Sequence, residues 1–473
     1  QKRSADNIMD VVSADRAGKL PDGNAAEAVR RLPGVFAEID QNEGRYIVVR
    51  GIDANLNNIT INGVSVGSTE SGGRGAGMDS VPADLISRIE VVKAVTPDMD
   101  HQAIGASVNI VTPSAFDREG PFAYGTMAGG HYRGPGSDMP FGGSATYGTT
   151  FGGGKWGVVV GASYNYRHYV SNRRSGGNPW FPAGPAGTAG AKIFFPATQA
   201  LFYYDVQRWR MGVNAALEFR PDSRNQFALR LSDNRFKDEE GREQNGFEFF
   251  RTAFPATFTP TSATFTGGRS TVEYRYSKQK PHLDNLSFEG KHSLGDGGMK
   301  LDYTVAAGNA VKRTPDRQDW EFRSGANINS SIDTSGEYWA VTPAPLFYYA
   351  AAFPFRRVRF RQDKESEDNW TATLNLHQEQ PMLGHPGFWQ IGAKYFSREK
   401  GWNRTNVDYL AGTGANLFSL NQFNVSSPAH EMFGGRFQMS PQIDLKAVQA
   451  FFHDSANARY FVPNDAGTLS DSN

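Results

Sequence analysis

The stretch WGVVVGASYNYR, residues 156–167, alternates between two kinds of side chain. One face carries Trp156, Val158, Val160, Ala162, Tyr164 and Tyr166, and the other carries Gly157, Val159, Gly161, Ser163, Asn165 and Arg167. A period of two is that of a β-strand, and a greasy face opposite a polar one is typical of strands that cross a membrane as part of a barrel. The stretch therefore predicts a strand with one face towards lipid and the other towards water.

The same two-faced pattern returns further along the chain, and we count about nine such strands. The apolar faces are Trp209, Met211, Val213, Ala215, Leu217 and Phe219; Phe227, Leu229 and Leu231; Met299, Leu301, Tyr303, Val305 and Ala307; and Trp370, Ala372, Leu374 and Leu376. Because the signal of each single strand is weak, these faces alone fit a soluble β-sandwich about as well as a barrel.

Connection lengths indicate which strand ends lie on the same side. The short turns are 151–154, 221–225, 295–298 and about 379–387, and the long polar connections between them are 168–202, 237–270, 313–355 and 401–445. Outer-membrane barrels have short periplasmic turns and long extracellular loops. We therefore expect the long connections to face the outside of the cell.

Composition excludes several classes of protein. Lys+Arg and Asp+Glu are equal at 49 each, so the chain lacks the broad basic surface that nucleic-acid binding needs. It has no cysteine, which excludes thiolate metal sites, disulfides and cysteine nucleophiles. No apolar run approaches the roughly eighteen residues that a membrane-spanning helix needs, whereas a β-barrel is compatible with the low overall hydropathy. We find no catalytic constellation and no metal-binding motif, and expect neither an enzyme nor a cofactor.

The first quarter of the chain has short mixed elements instead. Residues 24–34 predict a helix with Asn24 as N-cap and Glu27 placed for a capping box. A second short helix is predicted over 82–87, capped by Ser80. Strands are predicted at 46–51, at 58–64 around an Asn-Gly turn, at 88–93 and at 107–112.

Five blocks of this region follow one another in a recognisable order: LPGV (32–35), VVRGI (48–52), TINGV (60–64), VPADLISRIEVVK (81–93) and GASVNIVT (105–112). In this order they resemble the plug domain of TonB-dependent outer-membrane receptors. The stretch TPDMDHQAIGASVNIVTPSAFD, residues 96–117, is most similar to the Caulobacter- and Xanthomonas-type branch, many of whose members are linked to carbohydrate uptake. One departure is Lys93-Ala94-Val95, where many plugs carry Arg-Gly-Pro.

The resemblance implies a small mixed α/β plug domain at residues 1–117 and the N-terminal portion of an antiparallel transmembrane β-barrel at 118–473. About nine strands of an expected twenty-two are then present, so we expect residues 1–473 not to close a pore alone. It also implies TonB-driven import of a scarce solute across the outer membrane of a Gram-negative bacterium. The implied partners are TonB with its inner-membrane energising complex, outer-membrane lipids and the transported ligand. No segment in 1–10 matches the TonB box convincingly.

The ligand is expected between the plug's apical loops and the extracellular loops. The candidate ligand-binding residues are Asn55, Asn57, Asn58, Thr69, Glu70, Ser71 and Arg74 of the plug and Trp180, Tyr203 and Tyr204 of the barrel. Amide and carboxylate groups beside aromatic rings suit an oligosaccharide, and would also suit a catecholate siderophore or a peptide. Loops can equally be polar because they are wet. The glycine-rich stretch 67–77 is expected to be mobile by its composition.

A plug inside a polar barrel must be held by hydrogen bonds and ion pairs, since both surfaces are wet. The resemblance implies that Arg50 and Arg88 pair with carboxylates of the barrel wall, and Glu218 is an inward-facing carboxylate that could serve either arginine. The alternative is that the two arginines only brace the plug's own sheet. Three other functions remain open at this point: an iron-complex receptor, a signalling receptor, and a barrel that serves as a platform for a surface partner.

Overall fold

The computed structural model describes residues 9–13, 22–94, 102–132, 138–176, 179–250, 254–295, 297–380, 387–414, 417–423, 430–464 and 469–472. A small N-terminal domain comes first. Its helix is α1 (Ala25–Val29), and its strands are β1 (Met9–Ser13), β2 (Val35–Asp40), β3 (Glu43–Val49), β4 (Asn58–Ile61), β5 (Val64–Ser65), β6 (Arg88–Val92) and β7 (Ser107–Val111).

Five of these strands form one sheet in the order β1-β6-β7-β4-β5, while β2 and β3 form a separate hairpin. β4 and β7 pair in parallel, and the other neighbours pair antiparallel. The strand β6 alternates as its sequence predicts, because Ile89 and Val91 are buried while Arg88 and Glu90 are only half-buried. Their apolar side chains pack with α1 and β3 into the core of this domain.

Local signals in this domain are partly confirmed. Asn24 caps α1 by accepting a 2.9 Å hydrogen bond from the backbone N–H of Glu27, although the helix is shorter than predicted. The capping box is wrong, because the Glu27 carboxylate accepts from the backbone N–H of Gly44 at 2.5 Å instead. The Asn62-Gly63 turn is confirmed, with φ of 51° and 81°.

The helix predicted over 82–87 is wrong. That segment contains a single 3-10 turn, Ala83–Leu85, without a side-chain cap, and Ser80 belongs to another 3-10 turn, Met78–Ser80. The Ser80 hydroxyl donates to the carbonyl of Gly77 rather than to a helix start. Because β6 begins at Arg88, too few residues remain for the cooperative hydrogen bonding that an α-helix requires.

The rest of the chain forms a large antiparallel sheet with short additions. Its strands are β8 (Phe122–Gly129), β9 (Phe141–Phe151), β10 (Trp156–Gly176), β11 (Trp180–Pro182), β12 (Phe194–Pro196), β13 (Thr198–Phe219), β14 (Asn225–Glu248), β15 (Thr257–Phe258), β16 (Ser262–Leu294), β17 (Met299–Arg323), β18 (Ile328–Asp333), β19 (Ala340–Pro343), β20 (Phe355–Glu379), β21 (Phe388–Ala411), β22 (Glu431–Met432), β23 (Phe437–Gln438), β24 (Phe461–Pro463) and β25 (Leu469–Ser472). The boundary predicted at residue 117 falls in the connection before β8.

Within the described residues, the sheet runs in the order β8-β9-β10-β13-β14-β16-β17-β20-β21-β24. The first nine members are the main strands of the sheet, and each pairs antiparallel with the next member in this order. The predicted pattern of about nine strands is therefore confirmed. Their facing is also confirmed: along β10, Trp156, Val160 and Tyr164 are exposed while Val159 and Ser163 are buried.

The strands extend further than predicted, since β13 has 22 residues and β16 has 33. Much of what we predicted as long connections is therefore strand, including residues 168–176 and 198–202. The reason is that polar side chains do not prevent backbone pairing, and some charged residues on the extensions face an opposite charge, as Glu239 of β14 faces Lys278 of β16. The alternation of short and long connections itself holds.

At the end of the sheet with the long connections, aromatic side chains pack the connections together. One cluster joins Phe195, Phe249, Phe265 and Phe347. Another places the helix α2 (Leu445–His453) beside β17 and β20, with Val448 buried in it. Among the residues described, no helix is both long enough and apolar enough to span a membrane.

Candidate functional site

The contact between the N-terminal domain and the large sheet centres on one carboxylate. Glu43, at the start of β3, is only 3% exposed and is met by three arginines of the sheet. Its Oε1 lies 2.8 Å from Nη1 of Arg167, and its Oε2 lies 2.9 Å from Nη1 of Arg208 and 3.1 Å from Nη2 of Arg210. We call these four residues the Glu43 cluster.

Without Glu43, the side chains of this cluster would all be positively charged. Arg167 on β10 stands directly opposite Arg208 on β13, and Arg210 is on the same face two residues further along. Like charges placed opposite one another destabilise a sheet. Burial alone would raise the pKa of Glu43, but the charges of the three arginines outweigh burial and lower that pKa to about 2. The carboxylate is therefore ionised throughout the physiological pH range.

The β2–β3 turn next to the cluster adds further bonds. Arg208 donates through Nη2 to Oε1 of Gln41 at 2.8 Å, and the Tyr169 hydroxyl donates to the carbonyl of Gln41 at 2.8 Å. The Gln41 amide donates to Glu240 of β14, and Arg210 donates to the carbonyl of Asp79. Three sheet strands thus hold this turn.

A second fastening involves the apical loop at residues 67–77. Glu70 accepts from Nη2 of Arg45 at 2.6 Å within its own domain and from Nζ of Lys312 on β17 at 3.2 Å. Burial opposes ionisation of Glu70, but Arg45 and Lys312 outweigh it and lower its pKa. Nearby, Lys400 on β21 donates to the carbonyl of Gly73 at 2.7 Å. The loop expected to be mobile is thus tied to the sheet at two points.

The predicted ligand-binding residues of the apical loops divide into two groups. Asn57, Asn58 and Thr69 are buried, and the Asn57 amide donates to the carbonyl of Ile47 inside the domain. Glu70 is the fastening residue just described.

The others lie at the surface. Asn55, Ser71 and Arg74 are exposed. The side-chain oxygen of Asn55 accepts from the backbone N–H groups of Arg74 and Gly75 at 2.7 and 2.9 Å, so it shapes the loop. Asn55, Ser71 and Arg74 remain predicted ligand contacts, whereas the buried positions support the domain.

The three aromatic candidates are not brought together. Trp180 is 47% exposed on β11, whereas Tyr204 is buried beside Tyr169 and Val206. The ring of Tyr203 is stacked on that of His430, with centroids 3.7 Å apart. Among these residues, only Trp180 presents a substantially free face.

The predicted lock residues are placed differently from our expectation. Arg50 is exposed at a turn with φ of 55°, and no ion pair joins it to the sheet within the described part of the chain. Arg88 pairs with Glu90 of its own strand at 2.7 Å, which is the bracing alternative.

Glu218, on β13, does join the N-terminal domain to the large sheet, but its partners are not the predicted arginines. It accepts from the Ser114 hydroxyl at 2.7 Å and from the backbone N–H of Ala115 at 2.9 Å, and Arg230 donates to it from β14 at 2.8 Å. Sequence reasoning missed Glu43 altogether, because its partners are more than 120 positions away and no local pattern marks it.

Lys93, which replaces the arginine of many plugs, lies 2.5 Å from Oδ2 of Asp10 and also donates to the carbonyl of Pro33. It therefore ties the N-terminal strand β1 to the end of β6. The lysine makes point-charge contacts that need no planar guanidinium.

The N-terminal domain, with its five-stranded sheet, is thus fastened by polar bonds to the long strands of the large sheet. Residues 1–107 match the family model described as the TonB-dependent receptor plug domain. The chain begins with a TonB-dependent receptor plug domain. We call the large antiparallel sheet that follows this plug the wall, and it agrees with the fold class predicted above.

The solved structures to which this chain is similar include the following three. They are a double mutant of the Serratia marcescens hemophore receptor HasR with its hemophore HasA and heme (12% identity, 87% of this chain and 82% of that chain, TM-score 0.31); the siderophore receptor PirA from Acinetobacter baumannii (9%, 100% and 91%, TM-score 0.30); and the unliganded ferric citrate transporter FecA (11%, 86% and 75%, TM-score 0.33). At these TM-scores the similarity carries no information about substrate. No curated protein matches the chain.

The space between plug and wall is accessible to water at the end with the short turns. A cavity of about 510 Å³ there is lined by both parts, including Arg88 and Glu90 of the plug and Arg230 and Asp302 of the wall. The plug is thus attached to the wall through charged groups around water-accessible space. Such an attachment can be broken and remade with less exposure of apolar surface than a packed core would require.

Proposed function

We propose that this chain belongs to a TonB-dependent receptor that imports a scarce solute across the outer membrane of a Gram-negative bacterium. The observation that carries the proposal is the plug-domain match over residues 1–107, followed by a strand wall to which this plug is fastened by ion pairs. The solute is one too large or too dilute for porins, and TonB supplies the force that displaces the plug.

In this mechanism the Glu43 cluster and the Glu70 fastening hold the plug at rest. Displacement separates charged groups that water can solvate on both sides, so the plug can return to the same bonds after each cycle. The cavity lined by Arg88, Glu90 and Asp302 lies on the short-turn side, where the solute would leave. A carbohydrate is the substrate class that the sequence resemblance favours, and an iron complex is its main rival.

Uptake in cells that produce the full-length receptor tests the proposal. Accumulation of labelled oligosaccharides and of ferric siderophores is measured with and without functional TonB. We expect one solute class to accumulate only when receptor and TonB are both present. Equal accumulation in cells without TonB would refute energised import, and accumulation of the iron complexes alone would replace the carbohydrate assignment.

A further inference from the structure

A cavity of about 100 Å³ lies in the wall among β14, β16, β17 and β20, away from the Glu43 cluster. Its polar lining is dominated by arginines. They are Arg242, Arg275, Arg317, Arg357 and Arg359; the lining also contains the carboxylates Glu273, Asp319 and Glu321, and Arg359 pairs with Asp408 outside the lining.

The cavity arginines point towards the interior that holds the plug. Arg242 is two residues from Glu240, which contacts Gln41 of the plug. Arg359 is ten residues from Asn369, whose amide donates to the carbonyl of Ser65 in the plug, and β20 pairs with β21 without a register shift between them. Since side chains alternate along a strand, even separations share a face.

The cavity also lies beyond the tip of the plug, towards the long connections. Arg242 is on the side of Glu240 that leads to the end of β14 at Glu248, and Arg359 is near the start of β20 at Phe355. The long connections join the strands at these ends. A solute arriving from the outside meets this part of the wall before it reaches the plug.

Arg357 and Arg359 are paired with Glu321 and Asp408, so the positive charge is least balanced around the other three arginines. Arg275 and Arg317 share one carboxylate, that of Asp319, at 2.6 and 3.0 Å. Arg242 stands directly opposite Arg275, lies 3.6 Å from Glu273, and its buried Nε has no hydrogen-bond partner in the described part of the protein. An unpaired buried donor and two facing guanidinium groups are both unfavourable unless an acceptor joins them.

We infer that these arginines form a subsite for an oxyanion, the carboxylate or phosphate group of an acidic solute. The planar guanidinium offers paired donors that match the oxygens of either group, and charge-assisted bonds of this kind are strong. The volume suits one such group rather than a whole solute, whose remainder would lie over the plug. This inference rests on the proposed import function, for which it names an acidic rather than a neutral substrate class.

Calorimetry on the full-length receptor in detergent tests the subsite with four probes: inorganic phosphate, citrate, an oligogalacturonate and a neutral maltooligosaccharide. We expect at least one acidic probe to bind, and its affinity to fall as salt is added. Phosphate binding alone would identify a phosphate group, and binding of both carboxylates alone would identify a carboxylate. If the neutral probe binds as tightly as every acidic one, the subsite is wrong.

Arg242→Gln is the decisive variant, because its loss breaks no short ion pair in the wall. We expect it to weaken binding of the acidic probe by about tenfold or more. Arg235→Gln is the matched control on the same strand, since Arg235 is exposed and pairs only with Asp233 in the described residues. It should bind like the wild type. If Arg242→Gln does not fold, Arg317→Gln replaces it, with the same expected loss.

The two proposals fail in different ways. If uptake requires TonB but Arg242→Gln and Arg317→Gln bind the acidic probe like the wild type, the subsite is wrong and the import function stands. If binding falls as expected in the variants but uptake never requires TonB, the import function is wrong and the subsite stands.

Discussion

Replacement of Glu43 by glutamine should loosen the plug more than any other single neutralising change in it. The substitution keeps the size of the side chain but removes the charge that three arginines surround at 2.8 to 3.1 Å. It leaves Arg167 and Arg208 facing each other across β10 and β13 with no carboxylate between them, while Arg208 keeps its ion pair with Asp238 at 3.1 Å. Removing one partner of a buried ion pair is strongly destabilising for this reason.

The magnitude follows from the pKa of Glu43. The cluster lowers it from 4.5 to about 2, and each unit of difference corresponds to about 1.4 kcal/mol. Docking of the ionised carboxylate therefore contributes about 3 kcal/mol, without a discount for solvent screening because the side chain is buried. Because the docked pKa is the lower one, this contribution is complete above about pH 4.5 and is lost as the pH falls towards 2.

Conductance of the full-length receptor in planar bilayers under increasing urea measures plug release directly. A loss of about 3 kcal/mol should lower the urea midpoint of channel opening by about 1 to 3 M. Lowering the pH from 7 to 3 should lower the wild-type midpoint, whereas the Glu43→Gln midpoint should lack this part of the response. The assay should be run at one fixed ionic strength, since salt screens the cluster's more exposed arginine.

Glu38→Gln is the control, since Glu38 is an exposed carboxylate on the neighbouring strand β2. Its midpoint should match the wild type at every pH. Identical urea midpoints for Glu43→Gln and Glu38→Gln would refute the assignment of the Glu43 cluster as the principal attachment of the plug. This conclusion would hold whether or not the variants still transported solute.

Three further predictions concern the plug. Glu218→Ala should raise leakage of large antibiotics more than Ser114→Ala, since it removes the bonds from Ala115 and Arg230 as well as the one from Ser114; tight cells in both cases would exclude this contact from the seal. Asn57→Ala should lower the thermal stability of the plug by about 1–3 kcal/mol while solute affinity stays unchanged, because its amide is bonded inside the domain; a selective loss of affinity would restore it as a ligand contact. Lys93→Met should loosen β1, because it removes the buried ion pair between Lys93 and Asp10. Faster hydrogen exchange in β1 would show this loosening, whereas unchanged exchange would contradict this role of Lys93.

Strand facing and the alternation of short and long connections could be predicted because each depends on neighbours in sequence. The alternation predicted for residues 156–164 is present in β10, where the residues of the polar face are buried and those of the apolar face are exposed or half-buried. The extents of the strands could not be predicted in the same way. The charged continuations of β13, β14 and β17 are strands because neighbouring backbones pair with them, and side-chain polarity gives no sign of that pairing.

Within the candidate site, Glu218 was predicted as an inward-facing carboxylate that could pair with Arg50 or Arg88, and in the structure it accepts hydrogen bonds from Ser114 and Ala115 instead. Asn57 and Asn58 are polar and lie in a loop-like stretch, which suggested ligand contact. They are buried: the Asn57 amide donates to the carbonyl of Ile47 in β3, and Asn58, at the start of β4, accepts from the Ser65 hydroxyl in β5. Polar composition alone cannot distinguish a side chain that meets solvent from one that closes a hydrogen bond inside a small domain.

The sequence by itself determined the class of each segment: short mixed elements first, then long two-faced strands joined by turns of alternating length. These follow from periodicity and turn chemistry, which act over a few residues. Only the tertiary structure decided that Glu43 is the centre of the plug's attachment and that five arginines share one cavity. Both features join residues of different strands, and Coulomb interactions depend on distance in space and on burial rather than on separation along the chain.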